Sequence, residues 1–261
     1  EKIARELGIK GVLNTRFAVL NDTVYLREVR PWACRSLPMI SKICNVPMAQ
    51  RAVETMLGVT LDEMNLQRCL LPHYATRASV FPFDTFAEAD PLLGPRMRST
   101  GQAITMAAGF GMSYFTSQEA AGPPLPLEGT VLITVTDADK PSILEPARLF
   151  KEMGFGIQAT RGTHSFLRQN GIGAQLVKKL GFGRPDLVDA IKTGDIALVI
   201  NTPSGSRSQQ DDAYIRKTAN RYRIANITTP AGALAAAKGI AARKRGQDAL
   251  RTLQSYIRSI K

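Results

Sequence analysis

Thr130-Val131-Leu132-Ile133-Thr134-Val135-Thr136 and Ile196-Ala197-Leu198-Val199-Ile200 are the two runs whose reading decides the fold. The second is apolar without alternation over a strand's length, the pattern of a strand covered on both faces, and the first is strand-like. After the first comes a helix that opens at Pro141-Ser142 and runs to Met153, where Gly154 is placed to end it. Residues 155–160 read as a strand, and 165–169 and 185–193 as helices. Beyond the second run follow a helix over 209–222, a short strand near Ile224, an Ala-rich helix over 230–242 and a terminal helix. Strand and helix alternating at this spacing predict an α/β domain built on a doubly wound parallel sheet.

Working outward, the clearest border is the run from Glu119 to Gly129, where Pro123-Pro124 and Pro126 forbid a helix and favour an extended connection. This predicts a first domain over 1–122, a proline-rich linker over 123–128 and the α/β domain over 129–261. In the first domain, Thr15-Arg16-Phe17-Ala18-Val19-Leu20 and Thr23-Val24-Tyr25-Leu26-Arg27-Glu28-Val29 flank Asn21-Asp22 and predict an antiparallel hairpin with a short polar turn. Helices are expected at 48–57, 61–64 and 103–121, with an irregular, proline-punctuated run over 71–98. The first half is therefore α+β.

In a doubly wound sheet ligands sit beyond the carboxyl ends of the strands, so the residues just after each apolar run carry the information. Those are Asp137-Ala138-Asp139-Lys140, Ala159-Thr160-Arg161-Gly162-Thr163 and Asn201-Thr202-Pro203-Ser204-Gly205-Ser206-Arg207. Hydroxyls, an amide, a lysine and glycine-permitted backbone suit a phosphate or a carboxylate. There are no paired carboxylates and no nucleophile beside a base. Singly, Lys140 reads as a solvated surface charge, and Thr160, Thr163 and Asn201 as turn or cap groups. Their convergence makes them a candidate site.

Composition bounds the rest. The 261 residues carry 34 Lys+Arg against 22 Asp+Glu, a net charge of +12. Residues 1–122 hold 13 basic and 11 acidic side chains, and the later residues hold the excess. Much of that excess lies in the tail, where Lys238, Arg243, Lys244, Arg245, Arg251, Arg258 and Lys261 face Asp248 alone. Without interleaved aromatics beyond Tyr256, this tail reads as a solvated amphipathic helix and argues against nucleic acid. No apolar run approaches a membrane span, and residues 1–10 are charged and amphipathic, so a cytoplasmic location is expected. Cys34, Cys44 and Cys69 read as reduced thiols, and with His73 and His164 they give no metal-ligand spacing. Trp32 and Cys34 read as packing residues.

The run from Phe17 to Val29, Ser41-Lys42, the stretch Asp90-Pro-Leu-Leu-Gly-Pro-Arg-Met-Arg-Ser-Thr-Gly101-Gln102, Ala159-Thr160-Arg-Gly-Thr163 and Val199-Ile-Asn201-Thr202 occur in unbroken order. Together they resemble the C-terminal end of the large subunit of carbamoyl-phosphate synthase. The resemblance implies the tail of its second ATP-grasp unit, followed by a regulatory domain of the methylglyoxal-synthase-like, Rossmann-like fold. It implies ATP and magnesium as cofactors of the intact enzyme, a glutaminase small subunit as partner, and a nucleotide monophosphate as effector. Effector-binding positions carry over to Lys140, Thr160, Thr163, Lys179 and Asn201, with Thr202 beside it; the family's next threonine is Pro203 here. Lys178 is expected to point away from the ligand of Lys179. The lysines would meet the phosphate, the threonines complete its shell, and Asn201 address a ribose or base.

The chain departs from that pattern at the metal. Of three family ligands only Glu28 is kept; Arg16 and Arg30 stand at the other two, and Trp32 replaces an arginine. A guanidinium offers no oxygen to magnesium, so Glu28 is expected in an ion cluster and this polypeptide alone is expected not to hydrolyse ATP. Some family members also bind ornithine through a Glu and a Tyr; Ala78 and Asn226 stand there, which argues against ornithine control although Thr228 is kept. Two readings from other classes remain: a lyase of the methylglyoxal-synthase type using Asp137 or Asp139 with His164 on a triose phosphate, and a basic nucleic-acid-binding module.

Overall fold

The computed structural model describes all residues except 67–69, 84, 87, 95, 204–208, 247–250 and 261. Cys69, the Ser204-to-Arg207 part of the third strand-end loop, Asp248 and Lys261 therefore lie outside the described residues. The chain divides into two compact units, one formed by residues 1–73 with 250–261 and the other by residues 74–249. By compactness the division falls at His73, whereas the proline-rich segment 123–128 lies inside the second unit.

In the first unit a short helix α1 (Lys2–Glu6) precedes strands β1 (Asn14–Leu20) and β2 (Thr23–Arg30), which pair antiparallel as expected. Asn21 and Asp22 both take the left-handed conformation, φ 49° and 58°, which matches the twist of a two-residue hairpin turn. A bulge between Arg16 and Phe17 shifts the register. Phe17, Val19, Leu20, Val24, Tyr25 and Leu26 are all about half exposed or more, so the hairpin covers little of its own apolar surface. Helices α2 (Leu37–Cys44) and α3 (Met48–Met56) follow. The helix expected at 61–64 is a hydrogen-bonded turn instead: Thr60 and Glu63 bond reciprocally, and Asn65 at φ 46° stops the coil from continuing. Tyr256, on helix α10 (Leu253–Arg258), meets the buried His73 ring edge-on at 5.5 Å.

In the second unit the run expected to be irregular contains strand β3 (Tyr74–Val80), and the helix expected over 103–121 divides. Its first part belongs to strand β4 (Gly101–Ala107), paired antiparallel with β3, and only Phe110–Ala121 forms helix α4. Polar stitching fixes this outcome. The Ser113 hydroxyl donates to Thr76 Oγ1 at 2.8 Å, the Thr105 hydroxyl donates to the Ser113 carbonyl at 2.6 Å, and Gly109 enters α4 in extended conformation.

The α/β part alternates strand and helix as expected, with one further short strand, Gln175–Val177, beyond those expected. Its elements are β5 (Thr130–Thr134), α5 (Lys140–Glu152) after one 3-10 turn, β6 (Gly156–Thr160), α6 (Arg161–Gln169), β7 (Gln175–Val177), α7 (Leu187–Lys192), β8 (Ile196–Asn201), α8 (Gln209–Arg221), β9 (Ala225–Ile227) and α9 (Pro230–Lys244). All five strands are parallel in the order β7-β6-β5-β8-β9, so the winding reverses between β5 and β8. Alternate residues of the central strands serve opposite layers. Val131, Ile133, Leu198 and Ile200 join a core with α4, α5 and α9, while Leu132 and Val199 join one with Leu187, Val188 and Ile191 of α7 and Ile215 and Ala219 of α8. Asp186 caps α7 in a reciprocal box with Asp189, and Thr229 caps α9.

Helices α4 and α9 cross backbone to backbone. A Cβ on Gly111 would stand 2.6 Å from the Lys238 carbonyl oxygen, and one on Gly239 would stand 3.1 Å from the Gly111 oxygen. Neither neighbour is a flexible side chain, so the helices would have to separate. Gly111→Ala is expected to destabilise the second unit by about 1–3 kcal/mol, as overpacking does. Gly122→Ala, with nothing within 4 Å of the added carbon, should stay within about 0.5 kcal/mol of the parent. Urea denaturation of the two variants tests this.

Candidate functional site

The winding of the sheet reverses between β5 and β8, the point at which ligands of doubly wound sheets bind beyond the carboxyl ends of the strands. Thr134 ends β5, Thr160 ends β6 and Asn201 ends β8. The Thr160 hydroxyl donates to Thr134 Oγ1 at 3.2 Å, and Thr163, in the first turn of α6, accepts the Val135 N–H at 3.4 Å through its hydroxyl oxygen. Both threonines are buried and form the floor. Thr160 caps no amide with its side chain, so the first N–H groups of α6 remain available, and a helix of nine residues directs its positive end there.

Lys140 lies over this floor, its side chain 17% exposed. A Cβ on Gly162 would come within 3.3 Å of Lys140 Nζ, so the bare glycine lets the ammonium sit against the start of α6. Lys140 pairs with Asp137 at 2.6 Å. The hydrogen bond and charge of Lys140, with the charge of Lys179 added, hold the Asp137 carboxyl below its ordinary value. Lys179 lines a small depression with Thr134, the last residue of β5. Lys178 donates to the Arg184 carbonyl at 3.2 Å.

Asn201 and Thr202 reach the same strand end but face inward. Asn201 is fully buried, its Oδ1 accepting from Arg216 at 3.0 Å and its Nδ2 donating to Asp212 at 3.2 Å. Thr202 donates its N–H to the Thr134 carbonyl at 3.2 Å and accepts the Thr136 N–H through Oγ1 at 3.0 Å. Both side chains are committed to the scaffold in this conformation. Sequence reasoning missed their partner: Arg216, 1% exposed, grips Asp90 with Nε and Nη2 at 2.8 and 2.6 Å. The signal was present, because Arg216 falls on the buried face of α8 with Asp212, Ile215 and Ala219, where a lone cation needs a partner. Burial pushes the Asp90 carboxyl up, but the Arg216 hydrogen bonds, the Leu92 N–H and the charges of Arg216 and Lys217 outweigh it and hold the group below its ordinary value.

Of the lyase candidates, Asp137 is engaged by Lys140, and Asp139 accepts the Thr136 hydroxyl at 2.9 Å. His164 is half-buried in the first turn of α6. On the hairpin, Glu28 is clamped by Arg16 Nε at 3.4 Å on one oxygen and by Arg30 Nε at 2.5 Å on the other. Two guanidinium groups therefore occupy both carboxylate oxygens, and this donor set does not fit a magnesium ion. Among the described residues no group of three or more His, Cys, Asp or Glu could hold a metal. No helix among them is long and apolar enough to cross a membrane.

Ala78, Asn226 and Thr228 line one cavity of about 900 Å³ with Phe81, Phe83 and Arg223. Arg223 supplies its only charge among the described lining residues, and the Asn226 Oδ1 there has no partner.

The MGS-like domain family matches residues 142–228. Over 257 residues, 98% of its length, the chain is 43% identical to the carbamoyl phosphate synthase large chain of Archaeoglobus fulgidus and spans 24% of it. It is 40% identical over 261 residues to that of a Nostoc species, again spanning 24%. It is also 40% identical over 245 residues to the C-terminal section of the large chain of Aquifex aeolicus, spanning 46% of that protein. The chain thus spans about a quarter of the full-length relatives it matches.

The buried pair makes the first prediction about the site. Replacing Arg216 by Ala strands the Asp90 carboxylate, and the expected loss is about 2–3 kcal/mol, below the roughly 3–5 of a fully buried pair, because 29% of the Asp90 side chain faces water. Since the folded carboxyl titrates below its unfolded value, its contribution is complete at neutral pH and disappears as pH falls through the folded value. Denaturation of wild type and Asp90→Asn over a falling pH series should therefore show their stability difference shrinking below about pH 3.9.

Proposed function

The chain belongs to the carbamoyl phosphate synthase large-chain family, as a counterpart of its C-terminal quarter, and from that premise we propose that it is an effector-sensing module for a nucleotide monophosphate. Lys140 and Lys179 meet the phosphate as point charges, and the α6 amides with the Thr160 and Thr163 hydroxyls complete its shell. Asn201 and Thr202 serve by holding the strand end. The observation that supports this reading is Lys140 seated against the α6 N-terminus, where the order of the sheet reverses. Two or three placed cations suit a single phosphate, whereas a nucleic acid needs a wider basic face. The lyase reading gains nothing from Asp137 and Asp139, both already bonded.

Under the same proposal, residues 1–122 are the C-terminal part of an ATP-grasp unit, 123–128 the connection and 129–261 the regulatory domain. In the intact family enzyme ATP and magnesium serve the synthesis of carbamoyl phosphate for the pyrimidine and arginine pathways, in the cytoplasm, with a glutaminase small subunit as partner. This chain acts through binding, because its hairpin presents arginines where magnesium would need oxygens. A bound nucleotide influences a catalytic partner only through a different fit to two states.

Titration calorimetry with uridine and inosine monophosphates tests the site. Wild type should bind one nucleotide per chain, and Lys140→Ala should weaken binding by about tenfold, as loss of one charge-assisted bond does. Thr163→Ala should weaken it several-fold, and equal binding by Thr163→Ala and wild type would sink the assignment. A magnesium-dependent ATPase activity of this chain that disappears in Glu28→Ala would overturn the reading of the hairpin.

A further inference from the structure

The floor of the strand-end site is bonded into a part of the chain far away in sequence. We propose that Arg216 and Asp90 are positioning residues of that site, acting through Asn201 and Thr202 on the turn that carries Lys140. The inference rests on the strand-end site being where the ligand binds.

Arg216 spends its guanidinium on two carboxylate bonds to Asp90 and one to Asn201 Oδ1. Because Oδ1 is thereby taken as an acceptor, the amide of Asn201 has one orientation, with Nδ2 donating to Asp212. Asn201 is the last residue of β8, in register with Thr134. The next residue, Thr202, closes the strand end through its N–H to Thr134 and its Oγ1 to the Thr136 N–H. Thr136 in turn donates its hydroxyl to Asp139, the residue immediately before Lys140 at the start of α5. The bonded path thus runs from Asp90 through Arg216, Asn201 and Thr202 to Thr136, Asp139 and Lys140.

Asp90 is itself held, accepting the Leu92 N–H at 3.1 Å on its carboxylate and Arg98 Nη1 at 2.9 Å on its carbonyl. At 1% exposure Arg216 cannot act as a charge offered to a ligand, and its fork is spent on Asp90. What it does is fix geometry. If the fork is lost, the Asn201 amide is free to turn, and the Thr202 and Thr136 bonds that shape the mouth lose their support. Linkage makes the effect reciprocal: whatever the Asp90–Arg216 pair adds to nucleotide affinity, the nucleotide adds to the ordering of the Asp90 segment.

Amide exchange followed by NMR on the whole chain tests this, first without ligand. Asp90→Asn and Arg216→Lys should each speed exchange at the Thr136 and Thr202 amides by about tenfold or more, a common size for coupling between sites. Ile157 and Ala159 on β6 should keep their rates, and Asp90→Glu should restore the slow exchange. Unchanged rates at Thr136 and Thr202, or equal acceleration at Ile157 and Ala159, would overturn the proposal, the second because it reports general loosening. With inosine monophosphate added, wild type should show slower exchange at Leu92, and Asp90→Asn should bind about tenfold more weakly. A nucleotide that binds wild type without slowing Leu92 also overturns it. A wild type that binds no nucleotide removes the proposed effector, and exchange at Thr136 and Thr202 then decides the positioning role by itself.

Discussion

Strands β5 and β8 have both faces buried, and from that constraint the second unit's architecture follows. Leu132 and Val199 need one helical layer while Val131, Ile133, Leu198 and Ile200 need another, so helices must lie on both sides of the sheet. The chain can supply both layers only by winding outward from β5 in one direction and from β8 in the other. The two strands then diverge in their connections while staying paired in register up to Thr134 and Asn201. The ends of the two strands, Thr134 and Asn201, lie side by side at that reversal.

This is why the α/β half was legible from sequence. A continuous apolar run is a strong signal, and the glycines and prolines that bound its helices fall where the helices start and stop. The first half was legible in its hairpin and in α3, expected over 48–57 and found at Met48–Met56. Tyr74–Val80 mixes polar and small residues, and Ala103-Ile104-Thr105-Met106-Ala107 has helix-forming alanines, so neither stretch declares the strand it becomes. Pairing of β3 with β4 overrides local preference, and the contact that decides it, Ser113 against Thr76 and Thr105, spans up to 37 residues. Lys140, Thr160 and Thr163 could be singled out because position after a strand is a local property, whereas Lys179 is named only by the family resemblance. Arg216 could not be paired from sequence, because its partner lies 126 residues away.

The same long-range bonding explains how compactness is partitioned. The proline-rich segment marks a change from antiparallel to parallel sheet, yet α4 packs closely on α9 through facing glycines, and Asp90 anchors α8. Residues 74–122 are held by Ala107, Met112 and Phe115 in the shared core, by glycine-to-backbone contact and by the Arg216–Asp90 ion pair, and the last two leave no trace in hydrophobic periodicity. The hairpin instead spends its charge locally. Glu28 draws two arginines from the same two strands, so the cluster is complete within the hairpin itself.

The apolar flanks of that hairpin carry a colloidal consequence. Phe17, Val19, Leu20, Val24 and Tyr25 lie open on a two-stranded ribbon, whose outer edges also present unpaired backbone groups. Between such surfaces the only general repulsion is the net charge of +12, and its reach shrinks to about 8 Å at physiological ionic strength. Added salt therefore removes the force that keeps the ribbons of neighbouring molecules apart while leaving their attraction intact. For this chain, dispersal in solution and high ionic strength are opposed.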